Sequence, residues 1–234
     1  MNNINKENFE QWNEKMARKY NPDTYHSSSN LFIKHIENQR VKSILDLLKI
    51  EDSDEVIEIG CGAGNILEKI NKGRLVGIDL SDFLLEMAKK KLKDKKVYLL
   101  KANAEDLPQE IKNKKYDKVI CSEVIEHVQC PHKVIDEISK IIHSKSTIVI
   151  SVPNEGFINK LKQIFIKLKI FFFFFPNISK KMDNEWHLHS FDLALLRKIT
   201  QGKLKIEKIK PIPFWFFPIR YVVKFKPLCS IRSF

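Results

Sequence analysis

Three glycines at alternate positions follow a short apolar run, in the stretch VIEIGCGAGN of residues 56–65. An apolar run rich in β-branched residues is typical of a strand that is covered on both faces, as in a parallel sheet. Glycines remove the Cβ where backbone N–H groups must approach a bound molecule closely. A dinucleotide fingerprint would require glycine at position 65, which is Asn65. The pattern is instead Glu-x-Gly-x-Gly-x-Gly from Glu58, and it predicts an α/β fold with a binding loop of another kind.

A second apolar run, residues 75–79, ends in Asp79, which lies 21 residues after Glu58. An acid at the tip of this strand can hold both hydroxyls of a ribose, as in nucleoside-binding α/β folds. Strand-like and helix-like segments keep alternating after it, which predicts right-handed crossovers and a parallel sheet with helices on both faces. The predicted strands are 56–60, 74–79, 96–101, 117–121 and 146–152, and the predicted helices are 65–72, 82–93, 105–112 and 131–143.

Over residues 27–210 these stretches together resemble the class I S-adenosylmethionine (SAM) dependent methyltransferases. The resemblance implies a Rossmann-like α/β fold with a mostly parallel seven-stranded sheet, and SAM as the cofactor. Residues 116–128 are similar to members that carry Glu-x-x-Glu-His, such as ubiquinone-pathway O-methyltransferases and small-RNA 3′-end 2′-O-methyltransferases. We therefore expect an enzyme that methylates a small-molecule or lipid-like acceptor at oxygen. The alternatives are a metal-assisted RNA 2′-O-methyltransferase and a catalytically silent SAM-fold binding subunit.

The same resemblance assigns the residues that would bind the cofactor. Glu58 and the glycine loop would meet the methionine part, Asp79 the ribose, and Asn103 the adenine. Relatives usually carry Asp where this chain has Asn103, but an amide oxygen can still accept from the adenine amino group. The predicted cofactor-binding residues are Glu58, Gly60, Cys61, Gly62, Gly64, Asp79, Leu80, Asn103, Ala104 and Glu123.

His127 is the predicted catalytic residue. If residues 123–128 form a helical turn, Glu123, Glu126 and His127 lie on one face. That face could bind a divalent metal with help from His189, it could let His127 act as a general base on an acceptor hydroxyl, or it could be structural. We assign no metal ligand among these alternatives.

Two regions lie outside the alternating pattern. Residues 1–26 are polar and aromatic, and we expect an N-terminal lid or a packing arm there. Residues 27–234 would form the methyltransferase domain, with a helical cap insertion at 154–185 after the fifth strand and strands at 203–210 and 220–225, the last antiparallel. Apolar residues in 157–175 share one helical arc flanked by lysines, which suits a membrane interface or a lipid-like acceptor. A cap packed over the pocket, with the lysines on its wet face, would show the same pattern.

Composition limits the partners and the setting. The formal net charge of +12 favours a polyanionic partner or an anionic membrane surface, although lysines scattered over helix faces would give the same value. RNA is the less favoured partner, and the oligomeric state is open. The four cysteines show no Cys-x-x-Cys spacing, which favours neither a zinc site nor a disulfide framework. With no secretory h-region and no bilayer-length apolar run, we expect a cytoplasmic protein, with peripheral membrane contact through 157–175 as an option.

Overall fold

The structure is a computed structural model, and it describes residues 6–21, 31–167 and 186–228. Its strands are β1 (Glu55–Ile59), β2 (Arg74–Asp79), β3 (Val97–Lys101), β4 (Tyr116–Ser122), β5 (Ile142–Pro153), β6 (Leu204–Phe214) and β7 (Phe217–Pro227). They form one seven-stranded sheet in the order β3-β2-β1-β4-β5-β7-β6. Strands β1 to β5 are parallel, whereas β7 runs antiparallel to both β5 and β6. The prediction of a mostly parallel seven-stranded sheet is confirmed, including the antiparallel last strand.

The described helices are α1 (Lys6–Tyr20), α2 (Leu31–Leu48), α3 (Asp82–Lys91), α4 (Gln109–Lys112), α5 (Pro131–Ile141), α6 (Glu155–Lys167) and α7 (Leu193–Thr200). They cover both faces of the sheet, as predicted. Successive strand residues point to opposite faces, so Ile57 joins the apolar cluster that contains α5 residues. Val56 joins the cluster that contains residues of α2 and α3. The sheet therefore lies between two apolar layers and is buried in its centre.

The predicted helix at 65–72 is wrong. Only a single turn of 3₁₀-helix forms there, at Leu67–Lys69. The ammonium group of Lys95 donates to backbone carbonyl oxygens in this segment, including that of Ile70 at 2.6 Å. Gly73 then turns the chain into β2 with a positive φ of 80°. A longer helix would use those carbonyls internally, so the tertiary contact with Lys95 replaces it.

Parts of two predicted segments lie outside the described residues. The helical insertion after the fifth strand begins as predicted, with α6, but 168–185 is not described, and this range contains the five consecutive phenylalanines. The same holds for 1–5 and 22–30 near the N-terminus and for 229–234 at the C-terminus. Within the described ranges, no helix combines the length and the apolar character needed to cross a membrane.

Candidate active site

A pocket of about 380 Å³ opens at the carboxyl ends of β1, β2 and β4. This is the edge at which open α/β sheets bind their ligands. The predicted site residues in its wall are Glu58, Gly60, Cys61, Gly62, Asp79, Leu80, Asn103, Ala104, Glu123 and His127. Gly64 is not in the wall, because it packs against the end of α3. A Cβ on Gly64 would lie 2.8 Å from Leu92 Cδ1.

The glycine loop crosses from β1 toward the end of β2 with left-handed backbone at its glycines. Gly60 has a φ of 70°, and a Cβ there would lie 2.3 Å from Val124 Cγ2. Gly62 has a φ of 52°, but a Cβ there would meet nothing within 4 Å. The first glycine is therefore required by packing, whereas at the second a Cβ would meet no neighbouring atom.

Asp79 connects the glycine loop to the second strand. Its Oδ2 accepts from the Gly62 N–H at 2.8 Å, and its Oδ1 accepts from the Ser81 N–H at 2.9 Å. Burial raises the pKa of Asp79, and hydrogen bonds from the backbone N–H groups of Ser81, Gly62 and Leu80 oppose that shift. Each carboxylate oxygen can accept a second hydrogen bond, so the group can hold a further donor in the pocket.

Glu58 is a buried acid in the floor of the pocket. Glu58 is only 2% exposed, and its Oε2 has no hydrogen-bond partner among the described residues. Burial raises the pKa of Glu58 from 4.5 to about 8, although the nearby Arg40 guanidinium opposes the shift. A buried carboxylate oxygen without a donor is costly, so this position favours a cationic group in the pocket.

The raised pKa of Glu58 predicts a pH dependence of stability. Between its ordinary pKa of 4.5 and its folded-state pKa of about 8, the folded protein keeps the proton that the unfolded chain has lost. We therefore expect the free energy of unfolding to fall as the pH rises from about 5 to 8, and Glu58→Gln to make this slope shallower by up to about 1.4 kcal/mol per pH unit. Denaturant titrations across this range would measure both slopes. Glu86→Gln on the exposed face of α3 is the control, and a wild-type slope in Glu58→Gln would contradict the assignment.

Asn103 lies in the pocket wall, but its Oδ1 accepts from the Glu105 N–H at 2.9 Å within the same loop. The oxygen that we expected to accept from adenine therefore already stabilises the local turn. Its second lone pair remains, so an adenine contact stays a prediction.

A helical turn over 123–128 forms only in part: the His127 N–H donates to the Val124 carbonyl at 2.9 Å, and Glu123 lies outside this turn. Glu123 has a left-handed φ of 56°, and its N–H continues the strand pairing by donating to the Ser151 carbonyl at 3.1 Å. Its carboxylate accepts from Ser151 Oγ at 2.9 Å and pairs with Arg220 Nε at 3.1 Å. Glu123 therefore belongs to a polar network with Ser151 and Arg220, and it stays close enough to Glu126 that its charge adds to the effect of burial in raising the pKa of Glu126.

That network includes three charged residues that were not among the predicted site residues: Glu37, Arg40 and Arg220. Glu37 bridges two guanidinium groups, because its Oε2 accepts from Arg40 Nη2 at 2.7 Å and its Oε1 accepts from Arg220. Arg40 also donates to Ser122, whose hydroxyl lies 2.8 Å from that of Ser151. The ring ties α2 to the ends of β4, β5 and β7. The available signal was a Glu and an Arg three residues apart on the apolar face of a helix.

His127 lies between the pocket and the segment that begins at Trp186, where the described chain resumes after residue 167. Its Nδ1 lies 3.3 Å from the Trp186 carbonyl oxygen, and since a carbonyl only accepts, Nδ1 is the donor. The imidazole also packs on the Trp186 ring, at 4.6 Å between ring centroids. Burial, with a smaller effect of His187, lowers the pKa of His127 to about 3. The imidazole is therefore neutral at physiological pH, and Nε2 is its acceptor.

Glu126, His127 and His187 form a cluster whose candidate ligand atoms lie within 4.8 Å of one another. Glu126 is buried, and its Oε2 has no hydrogen-bond partner in the described part of the chain. His187 Nδ1 contacts Glu155 Oε1 at 2.7 Å, which orients that ring. His189, the possible partner named from the sequence, lies with its Nε2 3.0 Å from the Gln129 carbonyl oxygen instead. The histidine that joins this cluster is therefore His187 and not His189, which the sequence had offered only as a possible partner.

The N-terminal helix α1 covers one side of the pocket. Phe9 and Asn13 are in the pocket wall. Glu14 accepts from Ser81 Oγ at 2.5 Å and from the Phe83 N–H at 3.3 Å, so α1 is attached at the start of α3. This placement suits the predicted lid, and the lid function stays a prediction.

Residues 50–187, more than half of the chain, match a protein-family model described as a methyltransferase domain. The chain belongs to this methyltransferase family. A mitochondrial ubiquinone biosynthesis O-methyltransferase of Dictyostelium discoideum is 28% identical over 151 residues, 53% of this chain and 47% of the relative. The enzyme of the same description from Candida albicans is 35% identical over 126 residues, 50% of this chain and 37% of the relative. The chain thus matches about half the length, or less, of these curated relatives.

A solved N-methyltransferase from Bradyrhizobium japonicum, in complex with S-adenosyl-L-homocysteine, superposes with a TM-score of 0.68. It is 15% identical, and the superposition covers 92% of this chain and 98% of the other. A likeness at this identity shows the fold. Together with the family match, it confirms the predicted Rossmann-like class I methyltransferase fold.

Proposed function

We propose that this methyltransferase-family protein uses SAM to methylate a small-molecule or lipid-like acceptor at oxygen. The observation that carries the proposal is the meeting of Glu58, the glycine loop and Asp79 in one pocket at the carboxyl ends of neighbouring strands. The names of the curated relatives, ubiquinone biosynthesis O-methyltransferases, support oxygen as the methylated atom.

The residues on the cofactor side fit SAM. The Oε2 of Glu58, which has no hydrogen-bond partner in the part of the chain that the structure describes, suits the ammonium group of the methionine part. The open space beside Gly62 leaves room for the chain of that part. The remaining lone pairs of Asp79 suit the two ribose hydroxyls. When bound, SAM supplies a methyl group on a sulfonium sulfur, and the residues of the protein hold and align donor and acceptor.

The proposed acceptor side of the pocket combines apolar and charged side chains with two histidines, His127 and His187. Its apolar side chains are those of Ile33, Ile36, Ile158, Leu161 and Ile219. His127 Nε2 can accept a hydrogen bond from an acceptor hydroxyl and orient it toward the cofactor. Because the pKa of His127 is lowered to about 3, the imidazole is a weak base and serves mainly to orient that hydroxyl. These surfaces suit an acceptor with an apolar body and a single hydroxyl at the reacting end.

A second candidate is metal-assisted methylation of an RNA 2′-hydroxyl. The cluster of Glu126, His127 and His187 favours it, because two imidazoles and a carboxylate whose Oε2 has no partner among the described residues can hold a divalent cation. The Nδ1 contact of His187 with Glu155 is of the kind that orients a metal-bound histidine through its other nitrogen.

One assay distinguishes these functions. We expect purified protein to bind SAM in calorimetry and to transfer tritiated methyl groups into organic-soluble material of a fractionated cell extract. Each reaction is repeated with a chelator and with short RNA as the acceptor. Labelled RNA that disappears with chelator would favour the second candidate, and SAM binding without transfer to any fraction would indicate a silent subunit. Absence of SAM binding would contradict the proposal as a whole.

A further inference from the structure

The hairpin of β6 and β7 extends past the edge of the sheet at which the pocket opens. The last residue of β5, Pro153, pairs with Arg220 of β7. The pairing of β7 with β6 continues beyond that point to Phe217 and Phe214. At about 3.3 Å per residue, the three residues 217–219 carry the turn roughly 10 Å beyond the carboxyl end of β5.

Three consecutive aromatic residues occupy this turn, and we call them the aromatic tip: Phe214, Trp215 and Phe216. They are 47%, 81% and 64% exposed, respectively. The rings of Phe214 and Phe216 stack with centroids 5.3 Å apart, and Trp215 meets Phe216 edge-on at 5.6 Å. Single exposed apolar residues are common, but three adjacent large aromatic side chains at a protruding turn indicate a contact surface.

The base of the hairpin is held by polar and ring contacts. Gln39 Nε2 donates to the Pro213 carbonyl at 2.9 Å, and Asn154 Nδ2 donates to the Pro218 carbonyl at 2.9 Å. Phe217 packs edge-on against Phe157 of α6, with ring centroids 5.0 Å apart. The aromatic tip is therefore presented from a fixed base, and its exposed rings do not fold back into the core.

Helix α6 connects the aromatic tip with the mouth of the pocket. In the same helix as Phe157, Ile158 and Leu161 line the pocket, and Ile219 of β7 also lines it. The outward side of α6 carries exposed Lys160 and Lys167, among other exposed residues. The base of the aromatic tip is thus in contact with a helix that lines the pocket and carries exposed lysines.

We propose that the aromatic tip inserts into the interface of an anionic lipid bilayer, with the exposed lysines of α6 contacting the lipid headgroups. Tryptophan and phenylalanine favour the membrane–water interface, and lysines beside them are attracted to anionic lipid. The formal net charge of +12 has the sign that this partner requires. The proposal goes beyond the proposed function and does not depend on it, because it concerns lipid binding and not methyl transfer.

The test is co-sedimentation of the full chain with vesicles of phosphatidylcholine, with and without phosphatidylglycerol. We expect wild-type protein to pellet with the anionic vesicles and Trp215→Ser to bind them about tenfold more weakly. Tyr98→Ser is the matched control, because Tyr98 is an aromatic residue 51% exposed on β3, at the opposite edge of the sheet. Quenching of tryptophan emission by brominated lipid should be strong in wild type and largely lost in Trp215→Ser.

Several outcomes would overturn the proposal. One is an absence of vesicle binding by the wild-type protein, and another is equal binding by Trp215→Ser and wild type. The third is an equal loss of vesicle binding in Trp215→Ser and Tyr98→Ser. A dimer that depends on the tip in light scattering, without vesicle binding, would assign the surface to a second copy of the chain. A tip-dependent shift of short RNA without vesicle binding would assign it to nucleic acid. Failure of SAM binding or methyl transfer leaves this measurement unaffected, so the two proposals are tested separately.

Discussion

Gly60→Ala is expected to lower the free energy of unfolding by about 2–4 kcal/mol, because two costs combine at this position. The backbone has a φ of 70°, which is strained for any residue with a Cβ. The new Cβ would also lie 2.3 Å from Val124 Cγ2. Valine is stiff at χ1 and sits just after the end of β4, so the clash is relieved only by movement of the glycine loop. Chemical denaturation of the protein without cofactor measures the loss.

Gly62→Ala is the matched control for this change. It has a similar left-handed φ of 52°, but a Cβ there would meet nothing within 4 Å. We expect only the backbone cost, about 1–2 kcal/mol. Its new methyl group would project into the space that the cofactor is proposed to fill, so SAM affinity should fall while most of the stability remains. Equal losses of stability in Gly60→Ala and Gly62→Ala would contradict the packing role of Gly60.

Asp79→Ala is expected to weaken SAM binding by about 1.5–3 kcal/mol, or about 10- to 150-fold in Kd. Two effects contribute to this loss. The variant removes the proposed hydrogen bonds to the ribose hydroxyls, and it also frees the Gly62 N–H that Asp79 now holds at 2.8 Å. Titration calorimetry with SAM and with S-adenosylhomocysteine measures the change.

Asp82→Ala provides the control for the loss of a nearby negative charge. Asp82 lies three residues further on, its side chain is 66% exposed, and it pairs with Lys101 at 2.6 Å. We expect wild-type affinity for SAM in this variant, because surface ion pairs contribute little and Asp82 is not in the pocket wall. Unchanged affinity in Asp79→Ala would contradict the ribose role. An equal loss in both variants would assign the effect to overall charge.

The parallel strands, and the edge of the sheet at which the cofactor is proposed to bind, could be predicted because the sequence patterns that indicate them are local. Val56 and Ile57 belong to a run that is apolar on both faces, and both are buried. The glycine loop and Asp79 follow the ends of adjacent strands, and parallel strands end at one edge of the sheet. Their meeting in one pocket therefore follows from the strand order.

The wrong predictions concern segments whose local structure is determined by a residue that is distant in the sequence. Helix 65–72 was predicted from its neighbours in sequence, but Lys95 binds the carbonyl oxygens that such a helix would use. A helical turn would place Glu123 on one face with Glu126 and His127, but its backbone continues β4, and Ser151 and Arg220 bind its carboxylate. In each case a tertiary contact competes with a local preference and wins, because it also satisfies buried polar groups.

The sequence by itself determined the fold class, the sheet, and the edge at which the glycine loop and Asp79 meet, because strand periodicity and loop composition act over a few residues. Only the tertiary structure decided the acceptor side of the pocket. His187 rather than His189 joins Glu126 and His127 there, and Arg220 closes the ring that begins at Glu37. These side chains are far apart in the chain, so their contacts depend on how helices and strands pack, and no local pattern records that packing.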